Sequence, residues 1–152
     1  MALHQLGMVE RMAGEFNDSL YYFNEEEKIW KHYFPEFYLG FSANSYEKGY
    51  IAIKQGQYDE ARAFFQDSLA FAESANSSVA EGCAYRGMGE LEMAKLSFDK
   101  AKIHFQQATA AFKEAGDSMA IKEIQDFLVQ CQQLHSTNKG AIENGNKENP
   151  KR

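Results

Sequence analysis

The sequence predicts an all-α chain of about seven helices, arranged as three helix pairs followed by a last helix. Three observations support this prediction. Four kinds of residue recur three times along the chain with the same internal spacing. No segment shows the strict alternation of apolar and polar residues that is typical of a half-buried β-strand. Finally, Gly, Ser and Asn fall between segments of helical apolar periodicity, where helices start and stop.

The recurring residues define a repeat. Gly7, Gly49 and Gly89 lie 42 and 40 residues apart, and each is followed by an aromatic residue, a small residue and a Phe at the same distances. These columns are Phe16, Tyr58 and Phe98; Ser19, Ala61 and Ala101; and Phe23, Phe65 and Phe105. Gly and the small residue let two helices approach closely. Because one helix pair cannot bury its apolar face alone, we expect the pairs to stack into a right-handed solenoid.

The predicted units cover about residues 1–34, 35–75 and 76–116, and the last helix covers about 117–136. Pro35 suits the first turn of a helix, so we expect it to open the second unit. Asn76, Ser77 and Ser78 offer N-cap side chains for the third unit. Gly116 supplies a helix stop. Residues 137–152 contain few apolar side chains to offset the entropy of ordering, and they are expected to form a disordered tail.

The composition excludes several classes of protein. The chain has 152 residues, 44% of them apolar, with a net charge of −6 and two Cys. This length suits one domain with its own core, and two Cys cannot build a disulfide scaffold. The negative charge argues against binding to nucleic-acid phosphates. The sequence shows no membrane-spanning apolar run and no signal peptide, so we expect a cytoplasmic protein.

The repeated columns resemble the tetratricopeptide repeat family, whose pattern is W-x2-L-G-x2-Y followed by A-x3-F. The resemblance covers roughly residues 2–134, and the third unit matches best. The period is longer than the usual 34 residues, the terminal Pro is missing, and Glu10, Ala52 and Glu92 replace the Tyr. The matching residues are Leu6, Gly7, Ser19 and Phe23; Gly49, Ala61 and Phe65; and Tyr85, Met88, Gly89, Ala101 and Phe105.

The resemblance implies that the first helix of each unit presents a concave binding surface. Adaptable Met and amphipathic Tyr there suit a peptide or helix ligand. The alternative is that Tyr50 and Met93 only fill the interface between units. The carboxylate clamp of chaperone-binding members is not matched, so a chaperone C-terminal peptide is not favoured. The implied contact residues are His4, Met8, Arg11 and Met12; Tyr46, Tyr50, Ile53 and Lys54; Arg86, Glu90 and Met93; and Asp126, Gln130 and Gln133.

No set of residues with catalytic or metal-binding spacing is recognised. Cys83 and Cys131 lie 48 residues apart, and the four His form no ligand-spaced pair. The sequence Gly87-Met88-Gly89 lacks the third Gly of a dinucleotide loop and falls within a predicted helix. The acidic run 25–27 is predicted to be a solvated helix face, with a contact for a basic partner as the alternative. We therefore predict a protein that is not an enzyme and needs no cofactor or metal.

The sequence thus predicts a protein- or peptide-binding scaffold. Two alternatives stay open. The first alternative is a sensor or regulatory fragment of a larger bacterial signalling or transcription regulator. The second is a structural module that self-associates through its uncapped first helix. The expected partner is a protein or peptide, and neither a nucleic acid nor a membrane.

Overall fold

The computed structural model describes residues 2–145, and within them it contains seven α-helices. Each even-numbered helix packs on the odd-numbered helix before it, and α7 packs on α6. The prediction of an all-α fold of three helix pairs and a last helix is confirmed. The helices are α1 (Ala2–Ala13), α2 (Phe16–Tyr33), α3 (Tyr38–Lys54), α4 (Tyr58–Ser74), α5 (Ser78–Ala94), α6 (Phe98–Ala115) and α7 (Ser118–Gly145).

A contact between Gly and a Phe ring sets the distance between the two helices of each pair. A Cβ atom added to Gly49 would lie 2.6 Å from Cε1 of Phe65, and one added to Gly89 would lie 2.5 Å from Cε1 of Phe105. In the first pair, a Cβ atom added to Gly7 would lie 2.8 Å from Cε1 of Phe23. Real Cβ atoms do not approach another carbon so closely. Each ring therefore occupies the space in which the Cβ atom of any residue other than Gly would lie.

One of these rings also joins one helix pair to the next. Phe65 of α4 lies against Gly49 of its own pair and also against Gly87 of α5. Gly87 is therefore a packing residue within a helix, as its place in the repeat predicts. The small-residue column is fully buried, and in the first pair the hydroxyl of Ser19 donates to the carbonyl oxygen of Gly7 at 2.6 Å.

The connection between α2 and α3 differs from the prediction. Pro35 does not open a helix, because α3 begins only at Tyr38. The amide of Phe37 donates to the carbonyl oxygen of Phe34 at 2.9 Å, which places Pro35 at the second position of a β-turn, where its fixed φ is equally suitable. With Trp30, these residues border an apolar cavity of about 550 Å³.

The predicted helix boundaries around the third unit are largely observed. Ser77 caps α5, since its hydroxyl accepts a hydrogen bond from the amide of Ala80 at 3.3 Å. Gly116 ends α6 in the left-handed conformation, with φ of 72°. The carboxylate of Asp117 then accepts from the amide of Ala120 at 3.0 Å and starts α7.

The last helix is longer than predicted. α7 continues to Gly145, so residues 137–145 are helical and the expectation of a disordered tail from residue 137 is corrected there. No Pro interrupts this stretch, and His135 and Ile142 border a cavity together with Phe98 of α6, so the extension runs beside α6. Residues 146–152 of the predicted tail lie outside the described residues.

One backbone position departs from the repeat. The loop residue that follows the first helix of each unit is Gly14, Gly56 and then Leu96, all with positive φ. Leu96 has φ of 59° and a side chain that is 64% exposed. A side chain with a Cβ atom is strained in this conformation, and the exposed Leu gains little burial in return.

We expect Gly49→Ala and Gly89→Ala each to lower the free energy of unfolding by about 1–3 kcal/mol, because the added methyl group displaces a buried ring. Urea denaturation measures the change. Gly140→Ala in α7 is the matched control, since a Cβ there meets nothing within 4 Å. Stability of Gly49→Ala equal to the parent would contradict the contact.

We expect Leu96→Gly to raise the free energy of unfolding by about 1 kcal/mol, because Gly adopts the left-handed conformation without strain. The reverse change at the equivalent position, Gly56→Ala, is expected to lower it by about 1 kcal/mol. Both are measured by thermal and urea unfolding. If Leu96→Gly is less stable than the parent, the contacts of the Leu side chain stabilise the fold by more than the left-handed backbone conformation destabilises it.

Candidate functional site

Ion pairs connect the odd-numbered helices across one surface. Nε of Arg11 lies 2.7 Å from Oε2 of Glu47, which joins α1 to α3. Nη1 of Arg86 lies 2.6 Å from Oε2 of Glu123, which joins α5 to α7, and its Nε donates to Oε1 of Glu90 at 2.9 Å. We call the surface formed by these five residues, together with Tyr46, Tyr50 and Lys54, the odd-helix face. The structure thus brings together most of the predicted contact residues of the second and third units.

Tyr50 lies among the cations of this face. The guanidinium carbon of Arg11 is 4.6 Å from the centre of the Tyr50 ring, and Nζ of Lys54 is 5.2 Å from it. Both distances fit cation–π attraction. The ring therefore has partners within the chain, and it also holds Arg11 in place for its ion pair with Glu47.

Two of the three carboxylates on the odd-helix face, those of Glu47 and Glu90, are largely buried, whereas that of Glu123 is exposed. Burial raises the pKa of the Glu47 and Glu90 carboxyls, and the nearby Arg11 and Arg86 oppose this increase. Burial also raises the pKa of the Tyr46 hydroxyl, and the charge of Glu90 raises it further, so this hydroxyl stays protonated. Each guanidinium therefore compensates a carboxylate that water solvates poorly.

His4 lies between helices rather than on an open surface. Its Nδ1 is 3.2 Å from Oε2 of Glu26 and 3.1 Å from Oδ1 of Asn44, and its ring centre is 5.5 Å from that of Phe23. Asn44 in turn donates to the carbonyl oxygen of Phe23 at 3.1 Å. These contacts join α1, α2 and α3, so His4 positions helices, and partner contact by His4 stays a prediction.

The acidic run of α2 is not a solvated face, so that prediction is corrected. Glu26 is buried beside His4, and Oε1 of Glu27 is 2.7 Å from Nζ of Lys48 on α3. Within α2, Glu25 pairs with Lys28, and Oε2 of Glu27 lies 3.8 Å from Nζ of Lys31. His4 and Lys48, the partners of Glu26 and Glu27 on other helices, are more than 20 residues distant in sequence, so local charge pattern could not identify them.

The other predicted contact residues have varied surroundings. Ile53 and Met93 pack against the hydrophobic core, whereas Met8 is half-buried and Met12 is exposed. Gln133 is exposed at the outside of α7. A contact with a partner stays a prediction for each of them. Arg86, Glu123, Asp126, Phe127 and Gln130 together border a cavity of about 260 Å³ between α5 and α7.

A larger groove, which was not predicted from the sequence, lies between α3 and α5. Its volume is about 500 Å³, and its walls include Leu39, 49% exposed, and Val79, 46% exposed. A signal was available, because both stand ten positions before the column Gly of their unit. Ala43 and Cys83 are likewise equivalent and also line the groove. Burial raises the pKa of the Cys83 thiol, so the groove holds a thiol and not a thiolate.

Comparison with known proteins agrees with the repeat pattern. A family model described as a tetratricopeptide repeat matches residues 41–114, which span most of α3 to α6. No match was found among curated proteins. Within residues 2–145, no three His, Cys, Asp or Glu side chains lie together in a way that suits a metal ion. None of the helices in this range combines the length and apolar character needed to cross a membrane.

We expect Arg86→Ala to lower the free energy of unfolding by about 2 kcal/mol at about pH 7, because the buried Glu90 carboxylate loses its compensating cation. The raised pKa of Glu90 means that the folded state takes up its proton before the unfolded chain does as the pH falls. The loss of unfolding free energy in Arg86→Ala should therefore be smaller at about pH 5 than at about pH 7.

Urea denaturation at both pH values measures this effect. Glu90→Gln in the Arg86→Ala background is the control, since it removes the uncompensated charge and should recover part of the lost stability. A deficit that is the same at both pH values, with no recovery by Glu90→Gln, would contradict the assigned role of the pair.

Proposed function

We propose that this chain, whose residues 41–114 belong to the tetratricopeptide repeat family, is a non-enzymatic module that binds a peptide or protein segment on the odd-helix face. Repeats of this family generally serve protein interaction. The segment is proposed to seat an apolar side chain in the groove between α3 and α5 and to make polar contacts along the rest of the face.

The groove is the observation that supports this proposal most directly. Its volume of about 500 Å³ falls within the range of small-ligand pockets. Leu39 and Val79 expose about half of their side chains at its mouth, so an apolar group that enters removes apolar surface from water. Apolar pockets surrounded by polar side chains are where binding energy concentrates in protein interfaces.

The polar part of the face is already ordered. Arg11, Glu47, Arg86 and Glu90 hold one another in fixed geometry, so a ligand that contacts them need not restrict freely rotating side chains. Lys54 is exposed and makes no ion pair with the residues that the structure describes. It therefore offers a cation to a carboxylate or carbonyl oxygen of the ligand.

The alternative prediction, a sensor or regulatory fragment of a larger bacterial regulator, would use the same surface. It differs from the binding-module proposal only in what the binding event controls, and it stays a prediction. The same holds for the expected cytoplasmic location.

We expect a peptide selected from a random displayed library on residues 1–152 to bind at least about tenfold more weakly to Leu39→Asp or Val79→Asp, because a charge then lines the apolar groove. Fluorescence anisotropy with the labelled peptide measures the change. Ile103→Asp is the matched control, since Ile103 is a similarly exposed apolar residue on the outer side of α6.

Circular dichroism shows whether each variant is folded. Selected peptides that bind both groove variants as tightly as the parent chain would contradict this site. Loss of binding in Ile103→Asp alone would place the interaction on the other side of the molecule.

A further inference from the structure

The exposed side of α1 has no charged residue. Six of its twelve residues are exposed, and one of them, Gln5, is polar. Leu6 is 43% and Val9 59% exposed. We call this surface the α1 outer face; it consists of Ala2, Gln5, Leu6, Val9, Met12 and Ala13. A helix exposed to water normally carries charged residues on its outer side, so an uncharged one indicates a surface that is covered by a partner.

The equivalent faces of α3 and α5 are docking faces. Val9 occupies the repeat position of Ile51 and Leu91, and both of these side chains are almost fully buried. Leu6 occupies the position of Lys48, which is also buried. On this side of α3, Lys48 pairs with Glu27 of α2, and on this side of α5, Leu91 packs in a core cluster with Ala52, Ala61 and Phe65 of the preceding helix pair. Within residues 2–145, α1 alone has it exposed.

The outer sides of α2, α4, α6 and α7 do not match the α1 outer face, because they carry exposed charges. Between α2 and α3, Tyr33, Phe34 and Phe37 expose apolar side chains, and docking of α1 there is an outcome that the test below separates from a dimer through two copies of α1. A partner for an uncharged face must itself be free of charge at the contact, since an unpaired charge is costly to bury. The α1 outer face of a second copy meets this requirement. The exposed charges elsewhere include Asp18 and Lys28 on α2, Asp59 and Glu60 on α4, Asp99 and Lys100 on α6, and Lys122 and Glu123 on α7.

The order of residues along α1 also suits a two-fold axis. When two copies of α1 pair antiparallel about an axis between residues 7 and 8, Leu6 faces the second copy's Val9, and Ala2 faces the second copy's Ala13. Leu6 and Val9 then meet at the centre, and Ala2 and Ala13 lie at both ends beside the exposed Met12. A two-fold interface requires this self-complementarity, and the α1 outer face has it.

We propose that this chain forms an antiparallel two-fold dimer through the α1 outer face. A helix of 12 residues is about 18 Å long, so the interface is small and the dimer weak. We expect a dissociation constant of about 10–100 μM.

Charge-swapped variants test the dimer. One variant carries Leu6→Lys and Val9→Lys, and the other carries Leu6→Glu and Val9→Glu. Because position 6 faces position 9 across the axis, each variant alone places like charges opposite each other, and its dissociation constant should rise at least tenfold. An equimolar mixture places Lys opposite Glu and should dimerise again. Sedimentation velocity over a concentration series that brackets the parent constant measures all three, with circular dichroism as the check on folding.

Ile103→Lys is the matched control and should dimerise like the parent. A parent chain that stays monomeric throughout the series overturns the proposal, and so do doubly substituted variants that associate like the parent. Monomeric variants whose mixture does not dimerise also overturn it, because α1 would then contact a different surface. Peptide binding in the groove does not enter any of these measurements, so this proposal and the proposed function can fail separately.

Discussion

The packing of a Phe ring against a bare Gly Cα is the constraint on which the rest of the structure depends. In each pair it fixes how closely the two helices approach, and through Phe65, which touches both Gly49 and Gly87, it also fixes how one pair sits on the next. The position of α5 beside α3 follows from this contact. The groove between these two helices, and the proximity of Glu90 on α5 to Tyr46 on α3, are therefore consequences of core packing and not of local loop structure.

Above this core, the odd-numbered helices are connected by polar side chains. Arg11–Glu47 and Arg86–Glu123 each join neighbouring odd helices, and Lys48–Glu27 joins α3 to the even-numbered α2. Ion pairs that are partly exposed contribute little stability compared with buried aromatic rings. Their larger effect is geometric, because they fix the orientation of long side chains that would otherwise sample many rotamers. The surface proposed for binding is thus organised before any ligand arrives.

Sequence alone predicted the parts of the molecule that repeat. The Gly and Phe columns, the helix pairs and the stop at Gly116 are visible because the same packing requirement acts three times. What is not repeated was missed. The β-turn at Pro35 is local but occurs once in the chain. The partners of Glu26 and the continuation of α7 past residue 136 depend on neighbours that are distant in sequence. The groove falls between these cases. Leu39 and Val79 do occupy equivalent repeat positions. They lie in the first turns of α3 and α5, however, outside the set of Gly, aromatic, small and Phe columns that defines the repeat.

The two walls of that groove stand on different repeat units, with Leu39 on α3 and Val79 on α5. In a solenoid each unit contacts only its neighbours, so the angle between adjacent units is the softest coordinate of the molecule. The width of the groove changes with that angle. A molecule bound between the walls would restrict the angle between the second and third repeat units. The curvature of the whole superhelix would then differ between the filled and the empty groove.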